Sequence, residues 1–273
     1  MRKTKIEWCD TTWNPVSGCY HNCKYCYASR IARRFGGASN YEIDASGEII
    51  ESMLMQESAR VHVLDEPITV NHFGKKTKAA YPYYFEPTLF RYRLTEPSQL
   101  EKPRSIFVCS MGDLFGDWVP EKWILSVFDA CLAVPQHRYL FLTKNPSRYV
   151  ELASEGKLPR EDNFWYGSTA DNPSAPVFAA DGLNTFMCIE PITQPFGASN
   201  SDFLVDWIDW VIFGAETGRR NGKVVPERSW IEAAVEQFQL AGKPIFMKDS
   251  MKPVWGDGII CQFPWDVDGQ EDE

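Results

Sequence analysis

The 273-residue chain has no apolar run long enough to cross a bilayer, and its opening MRKTKIEWCDTTW lacks the hydrophobic core of a secretory signal. Those two absences lead us to expect a cytoplasmic protein with no membrane partner. Positive charge is also scarce: 28 Lys and Arg against 37 Asp and Glu leave a net charge of −9. A chain this acidic has no general attraction for a phosphate backbone, so any nucleic-acid contact has to come from a local basic patch. No internal repeat and no heptad run occurs, which removes solenoid and coiled-coil architectures. What the chain does have is 44% hydrophobic residues, enough for one substantial core. One catalytic-sized α/β domain over 1–267 is expected, with a lid or insertion at 74–104 and an acidic tail at 268–273 (Asp268, Glu271, Asp272, Glu273).

Short β-rich runs alternate with helical patterns. After a first element within Ile6–Val16, strands are expected at Ile68–Phe73, Ser105–Ser110, Tyr139–Thr143, Phe164–Ser168, Thr185–Ile189, Trp210–Gly214 and Pro244–Lys248. Their nearly continuous apolar character suits buried parallel strands better than surface hairpins. Helices are expected at Lys24–Arg34, Ile49–Leu64, Glu121–Ala133, Pro146–Glu155, Ala175–Ala180 and Ser229–Ala241. Pro120 suits a helix entry, and Gly242 followed by Pro244 suits a helix exit. The repeated strand-then-helix order favours a TIM-barrel-like (β/α)8 architecture, with an open α/β sheet as the alternative.

The eight cysteines are unevenly spread. Cys19, Cys23 and Cys26 fall within eight residues, whereas Cys9, Cys109, Cys131, Cys188 and Cys261 are dispersed. In a reducing compartment clustered thiols read as metal ligands rather than disulfides. The stretch Gly18-Cys19-Tyr20-His21-Asn22-Cys23-Lys24-Tyr25-Cys26 has C-x3-C-x2-C spacing, which lets three thiolates wrap a [4Fe–4S] cluster and leave one iron open. This stretch resembles the signature of the radical S-adenosylmethionine superfamily, including the aromatic Tyr25 just before the third cysteine. TKIEWCDTTWNPVSGC, FVCSMGDLF, LTKNPSRY, CIEP, WVIFGAETG and PIFMKD resemble a phage- and prophage-associated radical-SAM-like family of generally unassigned substrate.

That resemblance implies a full or partial (β/α)6 radical SAM barrel. It places the cluster on Cys19, Cys23 and Cys26 and S-adenosylmethionine on the open iron, with Tyr25 beside the cofactor. It also implies an external one-electron donor and reductive cleavage to a 5′-deoxyadenosyl radical that abstracts hydrogen from a substrate. The alternative for the same thiols is a non-enzymatic, nucleic-acid-associated module holding iron–sulfur or zinc, the zinc completed by Cys9 or His21.

In a barrel, residues just past the C-terminal strand ends converge. Asn71, His72, Ser110, Asp113, Thr143, Lys144, Ser168, Thr169, Glu190, Glu216, Lys248 and Asp249 are the polar candidates under that rule. Ser110 and Asp113 suit cofactor hydroxyls or a methionyl amine, or else a strand-terminating turn. Lys144 and Lys248 suit a carboxylate or phosphate. Glu190 and Glu216 suit a ribose, an amine or substrate, or else a salt bridge to Lys144 or Lys248. Arg30, Arg33, Arg34, Lys75, Lys76 and Lys78 are either local phosphate contacts or a solvated face. Nucleic-acid repair or modification, peptide modification and small-molecule rearrangement all remain open as substrate classes.

Overall fold

The structure is a computed structural model that describes residues 2–37, 42–44, 48–51, 60–72, 75–196 and 205–267. The acidic tail at 268–273, the centre of the expected Ile49–Leu64 helix, Phe73 and residue 74 lie outside the described residues. The chain forms two compact units. The first is Met1–Thr4, Cys9–Tyr139 and Glu151–Pro159; the second is Lys5–Trp8, Leu140–Val150 and Arg160–Glu273.

In the first unit β1 (Arg2–Lys3) runs antiparallel to β2 (Thr11–Trp13), and β2 runs parallel to β10 (Ser105–Val108). A second sheet, of four strands, has the order β3 (Val16–Ser17), β9 (Thr88–Phe90), β6 (Arg60–Leu64), β5 (Glu48–Glu51). A third sheet joins β4 (Glu42–Asp44), β7 (Thr69–His72) and β8 (Lys75–Lys78). Its helices are α1 (Tyr27–Phe35) and α2 (Glu121–Leu132). Helix α2 buries Trp123, Ile124, Val127, Phe128 and Cys131, the i, i+4, i+8 stripe of a helix laid on a core.

The second unit contains the parallel run β12 (Phe164–Thr169), β13 (Asn184–Ile189), β14 (Trp210–Phe213) and β15 (Ile245–Met247). Apolar side chains fill both faces of these strands, as parallel sheets require. Helix α4 (Glu232–Leu240) presses Ala234, Val235 and Phe238 against Val211, Phe213, Ile245 and Met247. Gly242 closes that helix in the left-handed region at φ 66°, and Lys243 N–H returns to Phe238 O at 2.9 Å. Short helices α5 (Lys252–Trp255) and α6 (Pro264–Val267) follow. The chain passes between the units within β11 (Arg138–Thr143) and α3 (Ser147–Ser154).

Strand order in the largest sheet is β1-β2-β10-β11-β12-β13-β14-β15, seven parallel strands with β1 antiparallel at the edge. The order runs from one edge to the other, and among the described residues β1 and β15 do not pair, so the architecture is an open parallel α/β sheet with flanking helices. The closed (β/α)8 form is not established.

Three element expectations are corrected. Ile68–Phe73 supplies no strand of the large sheet; β7 belongs to the separate three-stranded one. The expected Ile49–Leu64 helix has strands at both ends, because β-branched Val61 and Val63 bury and pair with β9 through β6. Ala175–Ala180 is irregular, since Pro176 removes a donor inside the segment. No helix among the described residues is long and apolar enough to cross a membrane.

One ring organises the second unit. Trp210 is fully buried and lies within 5.3 to 6.4 Å, centroid to centroid, of Trp8, Trp165, Phe186, Phe246, Phe263 and Trp265. Its indole N–H is satisfied by Gln262 O at 3.0 Å. Gly167 makes room beside this cluster, since a Cβ there would stand 2.2 Å from the Phe186 ring. Trp210→Ala is expected to lower unfolding free energy by about 3–5 kcal/mol through the cavity it leaves, read as a lower urea midpoint with an unchanged slope.

Candidate functional site

In the first unit the cysteine loop runs from β3 into α1. Gly18 sits at φ 90° because a Cβ would meet Glu86 O at 2.3 Å, and its N–H donates to Met111 O at 2.9 Å. Cys19 Sγ accepts the His21 N–H at 3.4 Å. Burial and the nearby Asp113 carboxylate push the Cys19 thiol far above the ordinary range. Cys26 N–H donates to Cys23 O at 3.1 Å, and Cys26 Sγ accepts Ser29 N–H at 3.3 Å as the N-cap of α1. Tyr25 is partly exposed between these cysteines.

The exit of β10 faces this loop. Cys109 turns the chain at φ 61°, and burial raises its thiol to about 12. Asn14 then organises the turn: its Oδ1 accepts Ser110 Oγ–H at 3.2 Å and Met111 N–H at 2.8 Å. Ser110 O accepts the Tyr27 hydroxyl at 2.6 Å. Asp113 is buried, with Oδ1 taking Phe115 N–H at 3.0 Å and Oδ2 2.8 Å from His21 Nε2. Ser110 and Asp113 therefore serve the turn and join the cysteine loop to it, and Asn14 is a partner the sequence reading missed.

In the second unit the strand ends gather two ion pairs. Lys144, just past β11, lies 3.3 Å from Asp171 Oδ2, just past β12. Lys248, just past β15, is paired with Glu190 Oε1, just past β13. Glu190 Oε2 also accepts the buried Cys188 thiol at 3.7 Å. Burial drives that thiol well above its ordinary range, the Glu190 carboxylate adds to the rise, and Lys248 and Lys144 oppose it. Glu190, Lys248 and Lys144 thus share one electrostatic neighbourhood around Cys188. Burial pulls the Lys248 ammonium down, but attraction and hydrogen bonding from Glu190 outweigh it and leave the group above the usual lysine range. Gly214 at the end of β14 lets this pair approach, since a Cβ would stand 2.9 Å from Glu190 Cδ and 3.0 Å from Lys248 Cδ.

Glu216 does not pair with either lysine. Its buried carboxylate is held by Arg220 through Nε at 2.7 Å and Nη2 at 2.8 Å, and the Arg220 hydrogen bonds keep it below the usual carboxylate range. Other expected strand-end groups are structural: Ser168 Oγ accepts Phe178 N–H at 2.9 Å, Thr143 Oγ1 accepts Asn145 N–H at 2.9 Å, and Asp249 pairs with exposed Lys252 at 2.7 Å. Asn71 and His72 lie on β7, away from any strand end of the large sheet, and their side chains are outside the described residues. Asp171 and Arg220 were missed because each lies in an irregular loop past a strand, where no period marks it.

The fold and these clusters define an open parallel α/β protein with charged residues gathered past its strand ends. The chain belongs to a family described as a protein of unknown function (DUF5131), whose model matches residues 3–257. Neither a curated protein nor a solved structure matches it significantly. The expectation of a [4Fe–4S] cluster and S-adenosylmethionine is overturned: among the described residues no group of three or more His, Cys, Asp or Glu side chains is placed to hold a metal ion. Cys19 Sγ accepts the His21 N–H and Cys26 Sγ caps α1. The radical SAM assignment, the radical SAM enzyme reading and the iron–sulfur or zinc module fall with that geometry.

The Glu216 clamp makes a pH prediction. Its carboxylate is lowered in the folded state, so its stabilisation is complete above the unfolded carboxylate value, near 4.3, and is lost as pH falls through the folded one. Arg220→Met is expected to be less stable than wild type at neutral pH, with the difference shrinking in urea titrations carried into that acidic window.

Proposed function

We propose that the strand-end cluster of the second unit binds a small hydroxylated phosphate ester. The observation that carries this reading is the gathering of Lys144, Glu190 and Lys248 around Cys188, with Asp171 paired to Lys144. Open α/β sheets receive ligands beyond the carboxyl ends of their strands, where loops from several strands meet. Two ammonium groups supply the donors and charge a phosphate needs, and two carboxylates supply acceptors for neighbouring hydroxyls. Lys248 is held charged by Glu190 in a mostly desolvated place, where its attraction for an entering anion is less screened than at the surface. Gly214, having no side chain, leaves the space that the Glu190 and Lys248 stems occupy. Glu216 and Arg220 brace the loop after β14 rather than offering a free charge.

Calorimetry with ribose 5-phosphate, with inorganic phosphate and ribose as controls, tests the reading. Ribose 5-phosphate is expected to bind more tightly than phosphate, and Lys248→Met is expected to weaken it at least about tenfold, or ~1.4 kcal/mol. The double variant Lys248→Met/Glu190→Gln, which leaves no unpaired charge, has to show the same loss while folding normally. No heat with either phosphate compound, or wild-type affinity in the folded double variant, would overturn the proposal.

A further inference from the structure

The acidic chain carries one stretch with no acid at all. Between Asp10 and Glu42 there is no Asp or Glu, while Lys24, Arg30, Arg33 and Arg34 all fall there. All four are exposed, and among the described residues none makes an ion pair or a hydrogen bond. By contrast Lys144, Lys157, Arg220, Arg228, Lys243, Lys248 and Lys252 each have a carboxylate partner within 4 Å. The stretch on and just before α1 thus places four exposed cations where the sequence supplies no neighbouring acid.

The same helix exposes its apolar side chains. It buries only Ala28 and Ala32, whereas Tyr27, Ile31 and Phe35 are 45%, 37% and 56% exposed. At about 100° per residue, Arg30, Arg34, Tyr27, Ile31 and Phe35 occupy one continuous arc that runs up to the edge of the alanine face. The rings are not loose. Tyr27 is tied by its hydroxyl to Ser110 O at 2.6 Å, and the Arg34 guanidinium lies 5.2 Å from the Phe35 ring centre. Tyr84, 43% exposed, extends the aromatic surface past the helix end, where its ring occupies the space a side chain on Gly37 would need.

From these features we infer that the α1 face is a binding surface for single-stranded nucleic acid. Arginines with no internal carboxylate neutralise phosphates, and exposed rings held in fixed orientation accept unpaired bases without regard to sequence. An acidic protein surface would answer the charge, but a single strand presents a flat base beside every phosphate and so answers the charge and the rings of Tyr27 and Phe35 together. A duplex would offer phosphates but keep its bases stacked. The inference rests on the first unit alone and is independent of the phosphate-ester reading of the second.

Fluorescence anisotropy with labelled oligothymidylate and oligouridylate of about twenty nucleotides tests it. Affinity is expected to fall as salt rises, and Arg30→Gln/Arg34→Gln is expected to flatten the log–log slope by about 1.4, the change for two phosphate contacts on a single strand. Phe35→Ser should weaken binding about tenfold with the slope unchanged, and Lys157→Gln, at a lysine already paired with Glu121 and Glu155, should bind like wild type. Equal binding to a duplex of the same sequence, equal competition by polyglutamate, no binding by the full-length protein, or wild-type behaviour of the folded arginine double variant would each overturn the inference.

Discussion

A lysine ammonium drawn most of the way out of water has few stable arrangements. Lys248 has one because Glu190 meets it from the neighbouring strand system and Gly214 leaves room for the two to touch. That requirement reaches outward. It fixes the register of β13, β14 and β15, because the pair forms only where the ends of those strands lie level. It also sets the chemistry of Cys188, whose thiol is held by the same carboxylate and has been removed from any role as a thiolate. The second pair, Lys144 with Asp171, repeats the arrangement two strands away. A parallel sheet with apolar faces has nowhere to put charge except past its ends, and here the charges are arranged to balance one another.

The sequence made the sheet readable and the site only partly so. β10 to β15 announce themselves as apolar runs such as SIFV, RYLFLT and WVIF, and the helix entry at Pro120 and exit at Gly242 stand where backbone chemistry places them. Lys144, Glu190, Glu216 and Lys248 are visible as polar residues directly after such runs. Their partners are another matter. The Glu190–Lys248 pair was one of two readings left open, while Arg220 for Glu216 and Asp171 for Lys144 depend on how irregular loops fold back, which no local period records. Residues 60–64 read as helix by length and composition, and the preference of Val61 and Val63 for a paired, buried position decided otherwise.

The cysteine loop shows why spacing alone is a weak statement of chemistry. Three thiols at C-x3-C-x2-C can surround an ion only if their side chains turn toward a common centre as thiolates. In this fold the backbone gives Cys26 to the first turn of α1 and desolvates Cys19 beside a carboxylate. What the loop does in the structure is mechanical: through Gly18, Met111 and the His21–Asp113 contact it fastens the exit of β10 to the start of α1. Ser110 and Asp113, read from the sequence as ligand contacts or turn formers, are occupied as turn formers.

The aromatic cluster around Trp210 has a consequence for how the protein is made. Its members come from both extremes of the chain, Trp8 near the start and Trp265 near the end, with Trp165 and Phe186 between. Contacts across so much sequence are expensive in loop-closure entropy and form late. During synthesis Trp8 has to wait for residues as far along as Trp265 before its place in the second unit is complete. Trp8 therefore stays exposed until residues as far along as Trp265 have been made, and the second unit reaches its native core only then.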